Sequence, residues 1–325
     1  MQKIASYPEV CLDALLSRLD GRAGFHSKRV TRRLIRKLDE IDPDVVHLHV
    51  LIGYYLNIEL LFEWLAQHRC KVLWTLHDCW AFTGHCIHFT YAGCDQWRTH
   101  CGAFKPCPQT DTYPESLSKN NVALNYEKKR QLFTMLPPER MSLITPSQWL
   151  ADLAKQSFLG KYEITVRYNE IDKETFKPTL SNIREQIGVG NRFMVLGVAS
   201  KWSERKGLPA FFALANDLDD SAYAVVVVGI NDKQRSDAPS NLIALPRTKD
   251  ASELAKIYSG ADIFFNPTVE DNFPTVNLEA EACGTDVVTY DTGGCRETIC
   301  RPESRVVSGY DQALEAIKFA CAKSM

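Results

Sequence analysis

Uninterrupted apolar runs are missing from this sequence of 325 residues. Its most apolar long stretch, Val45 to Ala66, is broken by His47, His49, Asn57, Glu59 and Glu63. That stretch reads as a strand and an amphipathic helix, not a membrane span. Met1 to Gly21 carries charges and lacks a continuous apolar core, so no secretory leader is expected and a cytoplasmic location is. Charge of one sign is missing too: 38 Lys and Arg face 40 Asp and Glu, for a net charge of −2. This balance gives no global attraction for nucleic acid, which is not expected as a partner. No Walker loop, Gly-x-Ser-x-Gly elbow or His-Glu-x-x-His sequence occurs, which argues against ATPase, hydrolase and metalloprotease chemistry. Gly188-Val189-Gly190 lacks the third glycine of a dinucleotide fingerprint and precedes a strand. There is no internal repeat and no low-complexity segment.

What is present is an apolar fraction of 45%, ordinary for a globular chain, and a length that favours two domains. Strands and helices alternate twice over. In the first half the pattern predicts strands at Asp44–Val50, Lys71–Leu76, Ser142–Thr145 and Ile164–Tyr168, with helices at Asn57–Gln67 and from Ser147 through Phe158. In the second half it predicts strands at Phe193–Val198, Tyr223–Val228, Leu242–Leu245, Ile263–Phe265 and Val287–Tyr290, with helices starting near Gly207, Ala251 and Pro274. A last helix runs from Asp311 to Ala322. Continuous Val, Ile and Phe runs indicate strands covered on both faces, hence mainly parallel sheets. The expected fold class is α/β with two Rossmann-like lobes: residues 1–168, a connector at 169–180, and residues 181–325, with a cysteine-rich insertion at 79–117.

The richest motif runs from Asn266 to Gly284: Asn-Pro-Thr-Val-Glu-Asp-Asn-Phe-Pro-Thr-Val-Asn-Leu-Glu-Ala-Glu-Ala-Cys-Gly. A strand ends, two acids follow in a loop, Pro274 opens a helix and Gly284 stops it. Asp271 lies in the loop and Glu279 near the middle of the helix. Open α/β sheets bind ligands at the carboxyl ends of their strands. There a helix N-terminus favours phosphate, and carboxylates accept hydrogen bonds from hydroxyls. A sugar nucleotide carries both kinds of group.

At these residues the chain resembles the retaining glycosyltransferases of family 4, which share the two-domain GT-B fold. Their mark, an acid, seven residues and a glutamate, is met by Asp271 and Glu279; Glu270 is one residue out of step. Glu270-Asp-Asn-Phe-Pro274, Leu278-Glu-Ala280 and Cys283-Gly-Thr-Asp-Val-Val288 are similar to the form found in bacterial exopolysaccharide and colanic-acid-type transferases. Asp286 stands where the family has proline. Asn169-Glu-Ile-Asp172 through Phe176-Lys-Pro178 resembles the family's interdomain junction. Relative to that pattern the opening strands and the closing segment are missing, so the N-terminal lobe is expected to be incomplete and the chain shortened at both ends. An unpaired sheet edge there would be an aggregation liability.

The resemblance implies roles. Lys201 and Lys206 match an arginine and a lysine that hold the donor diphosphate, with Arg205 a neighbouring basic residue. Backbone amides near Asn272, Phe273, Pro274, Thr275 and Val276 would assist. Asp271 would hold donor-sugar hydroxyls and Glu279 the nucleotide ribose. His77, in Thr-Leu-His-Asp-Cys-Trp-Ala-Phe-Thr-Gly-His-Cys, matches a histidine near the transferred sugar; of His47 and His49, one is expected to face the cleft and the other to be buried. No cofactor is implied for catalysis.

Three further features stand outside that scheme. Cys86, Cys94, Cys101 and Cys107 cluster with His85, His88 and His100 in an irregular segment. A structural zinc would constrain such a loop, although no Cys-x2-Cys pair occurs; reduced thiols are the other reading, and a disulfide framework is disfavoured in a reducing compartment. Asp217-Leu218-Asp219 ends a helix and reads as solvated surface, not a metal-nucleotide motif. Residues 22 to 37 carry Arg22, Lys28, Arg29, Arg32, Arg33, Arg36 and Lys37 beside an apolar stripe of Val30, Leu34, Leu38 and Ile41. Such a helix packs on a sheet and shows its charge to water, or lies on the anionic inner face of a membrane. The expectation is a retaining glycosyltransferase moving sugar from a nucleoside-diphosphate sugar to a saccharide or lipid-linked glycan. The alternative is a noncatalytic sugar-nucleotide-binding fragment, or half of a split transferase.

Overall fold

The computed structural model describes residues 3–324. The chain divides into two compact units, Met1–Tyr168 and Asn169–Met325.

The first unit holds helices α1 (Tyr7–Asp20) and α2 (Lys28–Ile41), strand β1 (Val45–Leu48), α3 (Ile58–Gln67), β2 (Lys71–Thr75), α4 (Val122–Phe133), β3 (Met141–Thr145), α5 (Gln148–Gln156) and β4 (Glu163–Val166). Its four strands form a parallel sheet in the order β1-β2-β3-β4. Caps fix the helix starts: Asn57 accepts from the amide of Leu60 at 3.0 Å, and Ser147 from that of Leu150 at 3.1 Å. Phe62, Trp74 and Phe133 meet at the centre, with ring centroids 4.7 Å (Phe62–Phe133) and 4.8 Å (Trp74–Phe133) apart.

The elements depart from expectation where local pattern is a poor guide. β1 stops at Leu48, where the chain leaves its pairing with β2 and enters turns. The helix α5 ends at Gln156, not Phe158, because Ser157 caps a separate 3-10 turn, Phe158–Lys161. α4 was not expected at all; its buried side includes Asn125 and Lys129, so the apolar stripe is interrupted. α1 is inverted: it buries Asp13 and Ser17 and exposes Tyr7, Leu12, Leu15 and Leu19. In α2, Lys28, Arg29, Arg32, Arg36 and Lys37 are exposed, while Arg33 pairs with Glu9 of α1 at 2.8 Å and Arg22 lies before the helix.

The second unit holds α6 (Ile183–Gln186), β5 (Phe193–Val198), α7 (Leu208–Asp217), β6 (Tyr223–Val228), α8 (Asp232–Ser236), β7 (Ile243–Leu245), α9 (Ala251–Gly260), β8 (Ile263–Asn266), α10 (Thr275–Ala282), β9 (Asp286–Tyr290), β10 (Arg305–Val307) and α11 (Tyr310–Ser324). Its six strands are parallel, in the order β10-β9-β8-β5-β6-β7. Successive residues of β5 and β6 feed two cores. Phe193, Val195, Val225 and Val227 pack with Phe211, Phe265 and Val288 on one face, and Met194, Leu196, Val226 and Val228 with Tyr258, Phe264 and Val287 on the other. Burial on both faces explains the unbroken apolar runs. Residues 169–180 associate with this unit: Phe176 is buried in the second core, and the Thr179 amide donates to Ser259 Oγ at 3.0 Å.

Candidate functional site

The strand order of the second unit reverses between β5 and β8. From β5 the chain proceeds through β6 and β7 to one edge, and from β8 through β9 and β10 to the other. Such a switch point opens a crevice at the carboxyl ends of the two strands, where open α/β sheets bind ligands. The loop after β5 carries Lys201, Arg205 and Lys206, and the loop after β8 carries Asp271 to Pro274. The expected donor-binding residues of this unit therefore come from both lips of one crevice.

Hydrogen bonds to main-chain carbonyls knit the lips together. The Val269 amide donates to the Arg205 carbonyl at 2.9 Å, and Thr268 Oγ1 donates to the same carbonyl at 3.2 Å. Arg205 donates through Nη1 to the Glu270 carbonyl, so its guanidinium contributes to the frame. A third loop, after β9, joins them: the Gly294 amide donates to the Asp271 carbonyl at 3.0 Å, and Thr292 Oγ1 to the Thr268 carbonyl at 2.6 Å. Two glycines make this closeness feasible. Gly207, at φ +80, precedes α7, and a Cβ there would lie 2.4 Å from the Pro267 carbonyl oxygen; at Gly293, φ +57, it would lie 1.9 Å from that of Asp271.

Within this frame Lys206 Nζ and Asp271 Oδ2 form an ion pair, largely shielded from water. Lys201 is exposed. Asn272, Phe273 and Pro274 are buried, and α10 begins at Thr275 with no side-chain cap. Its first-turn amides, those of Thr275 and Val276 among them, make an anion-seeking end four residues after Asp271, the partner of Lys206. Glu279, one turn further, accepts from Tyr258 Oη at 3.2 Å, and burial raises its carboxyl above the ordinary 4.5. A buried chain absent from the sequence reading anchors α10: Asn266 donates to Asn277 Oδ1 at 2.8 Å, and Asn277 to Thr298 Oγ1 at 2.9 Å. Asparagines and threonines scattered over 33 positions give no periodic signal.

In the first unit, His77 follows β2 and His49 follows β1. Their rings approach through His49 Nδ1 and His77 Nε2 at 3.0 Å, while His47 bonds Thr75 Oγ1 at 2.9 Å. Partial burial, then the neighbouring His49 and His47, lower the pKa of His77. All three rings reach solvent, so the expectation that His47 or His49 would be buried is corrected: at the end of an edge strand both lie outside the core. Next to His77, Asp78 is a residue the sequence reading did not single out. Its carboxylate accepts from the Trp80 amide at 2.8 Å, and burial pushes its pKa up to about 6.

Cavity size does not select the site. A groove of about 880 Å³ opens at the opposite, amino-terminal end of the second sheet, lined by Asp262, Asp286, Arg305, Phe319 and Lys323. Among the described residues no helix is long and apolar enough to cross a membrane.

Comparison with known proteins places this geometry. Residues 181–319 match the family described as Glycosyl transferases group 1. Over 276 residues the chain is 27% identical to the putative colanic acid biosynthesis glycosyl transferase WcaC of Escherichia coli (strain K12), covering 82% of this chain and 64% of that protein. The chain thus spans less than two thirds of that relative's length. Sucrose-phosphate synthase from Thermosynechococcus elongatus superposes with a TM-score of 0.64 at 15% identity, over 90% of this chain and 69% of that one. The structure of Anabaena Alr3699/HepE in complex with UDP-glucose does so with a TM-score of 0.60 at 16% identity, over 91% and 73%. The fold is of the bilobal GT-B type, and the sequence is related to bacterial glycosyltransferases.

Proposed function

We propose that this protein transfers a sugar from a nucleoside-diphosphate sugar to a growing saccharide or lipid-linked glycan, with retention of anomeric configuration. The observation that carries this reading is the crevice between β5 and β8, where Lys206, Asp271 and the uncapped start of α10 converge and Glu279 follows one turn on. Cationic side chains and helix amides suit a diphosphate, and carboxylates suit hydroxyls. Lys201 and Lys206, with the amides of Thr275 and Val276, would stabilise charge that grows on the departing phosphate. Asp271 would hold hydroxyls of the sugar and Glu279 the ribose. By the family resemblance, His77 would act on the transferred sugar. In the reaction the bond from the anomeric carbon to the phosphate oxygen breaks, and a bond to the acceptor oxygen forms on the same face. The phosphate leaving group takes the acceptor's proton.

The Anabaena structure holds UDP-glucose, which makes a UDP-sugar the first donor to test. The Escherichia coli relative is named for colanic acid biosynthesis, which directs the acceptor search to bacterial surface polysaccharides and their lipid-linked precursors. Exposed Tyr7, Leu12, Leu15 and Leu19, and arginines Arg29, Arg32 and Arg36, support work at the inner face of a membrane. The test is incubation with UDP- and GDP-sugars and lipid-linked acceptors, alone and on anionic vesicles, with product and anomeric configuration read by NMR. An inverted product overturns retention. Donor binding without turnover on any acceptor supports the second reading, a noncatalytic or split transferase, which the chain's 64% coverage of its relative keeps in view.

A further inference from the structure

Between β2 and α4 the stretch 79–117 contains only two short 3-10 turns, Trp80–Phe82 and Gln96–Arg98. A segment this long with so little regular structure needs other ties to hold one shape. Cys86, Cys94, Cys101 and Cys107 line one small space inside it together with His85. All four are free thiols; Cys86, Cys101 and Cys107 are buried and Cys94 partly so. The thiols of Cys86 and Cys107 lie close enough to interact.

His85 supplies an independent observation. Its ring is only 3% exposed, yet Nε2 is buried without a hydrogen-bond partner. The ring interacts with the main chain of Thr110 and Pro114, while Nε2 is left without a partner. A buried nitrogen without a partner is costly, and an imidazole tethered to a carbonyl on its far side has the arrangement of a metal-binding histidine.

We propose that this space is a structural zinc site, the ion taking its four ligands from Cys86, Cys94, Cys101, Cys107 and His85. Thiolate and imidazole donors select zinc over oxygen-seeking magnesium or calcium. Among the described residues no three such side chains are already set around one point, so binding draws them together. Each cysteine that ligates releases one proton, and no electron moves. The site ties down the segment that follows His77 directly and that offers the Trp80 and Thr83 carbonyls to Lys129 Nζ at 2.8 and 3.0 Å.

The test is elemental analysis of the full chain purified under reducing conditions without added metal. The expected result is about one zinc per chain, released on mercurial titration of the thiols. Cys101→Ser and Cys107→Ser lose the metal, whereas Cys283→Ser, in the other unit, keeps it. Should the serine variants fail to fold, the wild-type chain still decides: the thiols that ligate the ion react with a thiol reagent only as zinc is released. A folded wild-type chain without metal, or with these cysteines joined as disulfides, overturns the proposal.

Discussion

Lys206 and Asp271, 65 positions apart, neutralise one another across the two lips of the switch-point crevice. A diphosphate that recruits Lys206 must compete with Asp271 for it. Two substitutions therefore have opposite consequences. Lys206→Ala removes a charge-assisted contact worth about 1.5–3 kcal/mol, so nucleoside-diphosphate affinity falls roughly tenfold to a hundredfold. Asp271→Ala releases the lysine, leaving free nucleotide bound as well as before or better while weakening the full donor. Calorimetry with nucleotide and nucleotide sugar separates the cases; equal losses in both variants remove the division of roles.

Glu279 is expected to behave differently from Asp271. Ribose is common to free nucleotide and full donor, so Glu279→Ala weakens both by similar factors. Burial has raised this carboxyl above its ordinary 4.5, and the ionised form that accepts from hydroxyls is therefore lost at a higher pH than for an exposed glutamate. Nucleotide affinity in the wild-type chain should decline on acidification, and Glu279→Gln should flatten that part of the profile. A wild-type profile that Glu279→Gln leaves unchanged argues against a ribose contact.

Lys129 carries a pH dependence of stability. It is fully buried, and burial lowers its pKa from 10.5 to about 7. Between about pH 7 and 10.5 the unfolded chain binds more protons at this position than the folded chain, so stability contributed here rises with pH across that window. Lys129→Met removes this increment. It also strands two carbonyls, at a cost of about 1–3 kcal/mol for each buried group left unpaired. Urea unfolding of both chains at pH 7 and pH 9 checks the difference; parallel shifts would show that Lys129 does not titrate there.

Much of the fold was legible because both faces of each central strand are covered. β5 and β6, wholly buried along most of their length, fall at the expected residues. Legibility failed where burial is polar or partial: α4 hides Lys129 and Asn125, and β10 is three residues long. For the site, local motif placed the residues on their loops and on α10, since turn chemistry and helix starts are written in adjacent positions. The partnerships were not legible. The Arg205 contact to the Glu270 carbonyl and the Lys206–Asp271 pair join distant segments, and only the strand order brings those segments side by side.

The crevice is framed by hydrogen bonds that end on main-chain carbonyls, given by two amides and by the side chains of Arg205, Thr268 and Thr292, with Gly207 and Gly293 permitting the close approaches. Apart from Arg205, Thr268 and Thr292, that frame does not draw on the side chains along its rim. Asp271, Thr275 and Val276, which are not buried, can change what they recognise while the loops keep their course. The same scaffold can then be retuned from one donor to another by point substitution, whereas a bulkier residue at either glycine would close the route for all of them.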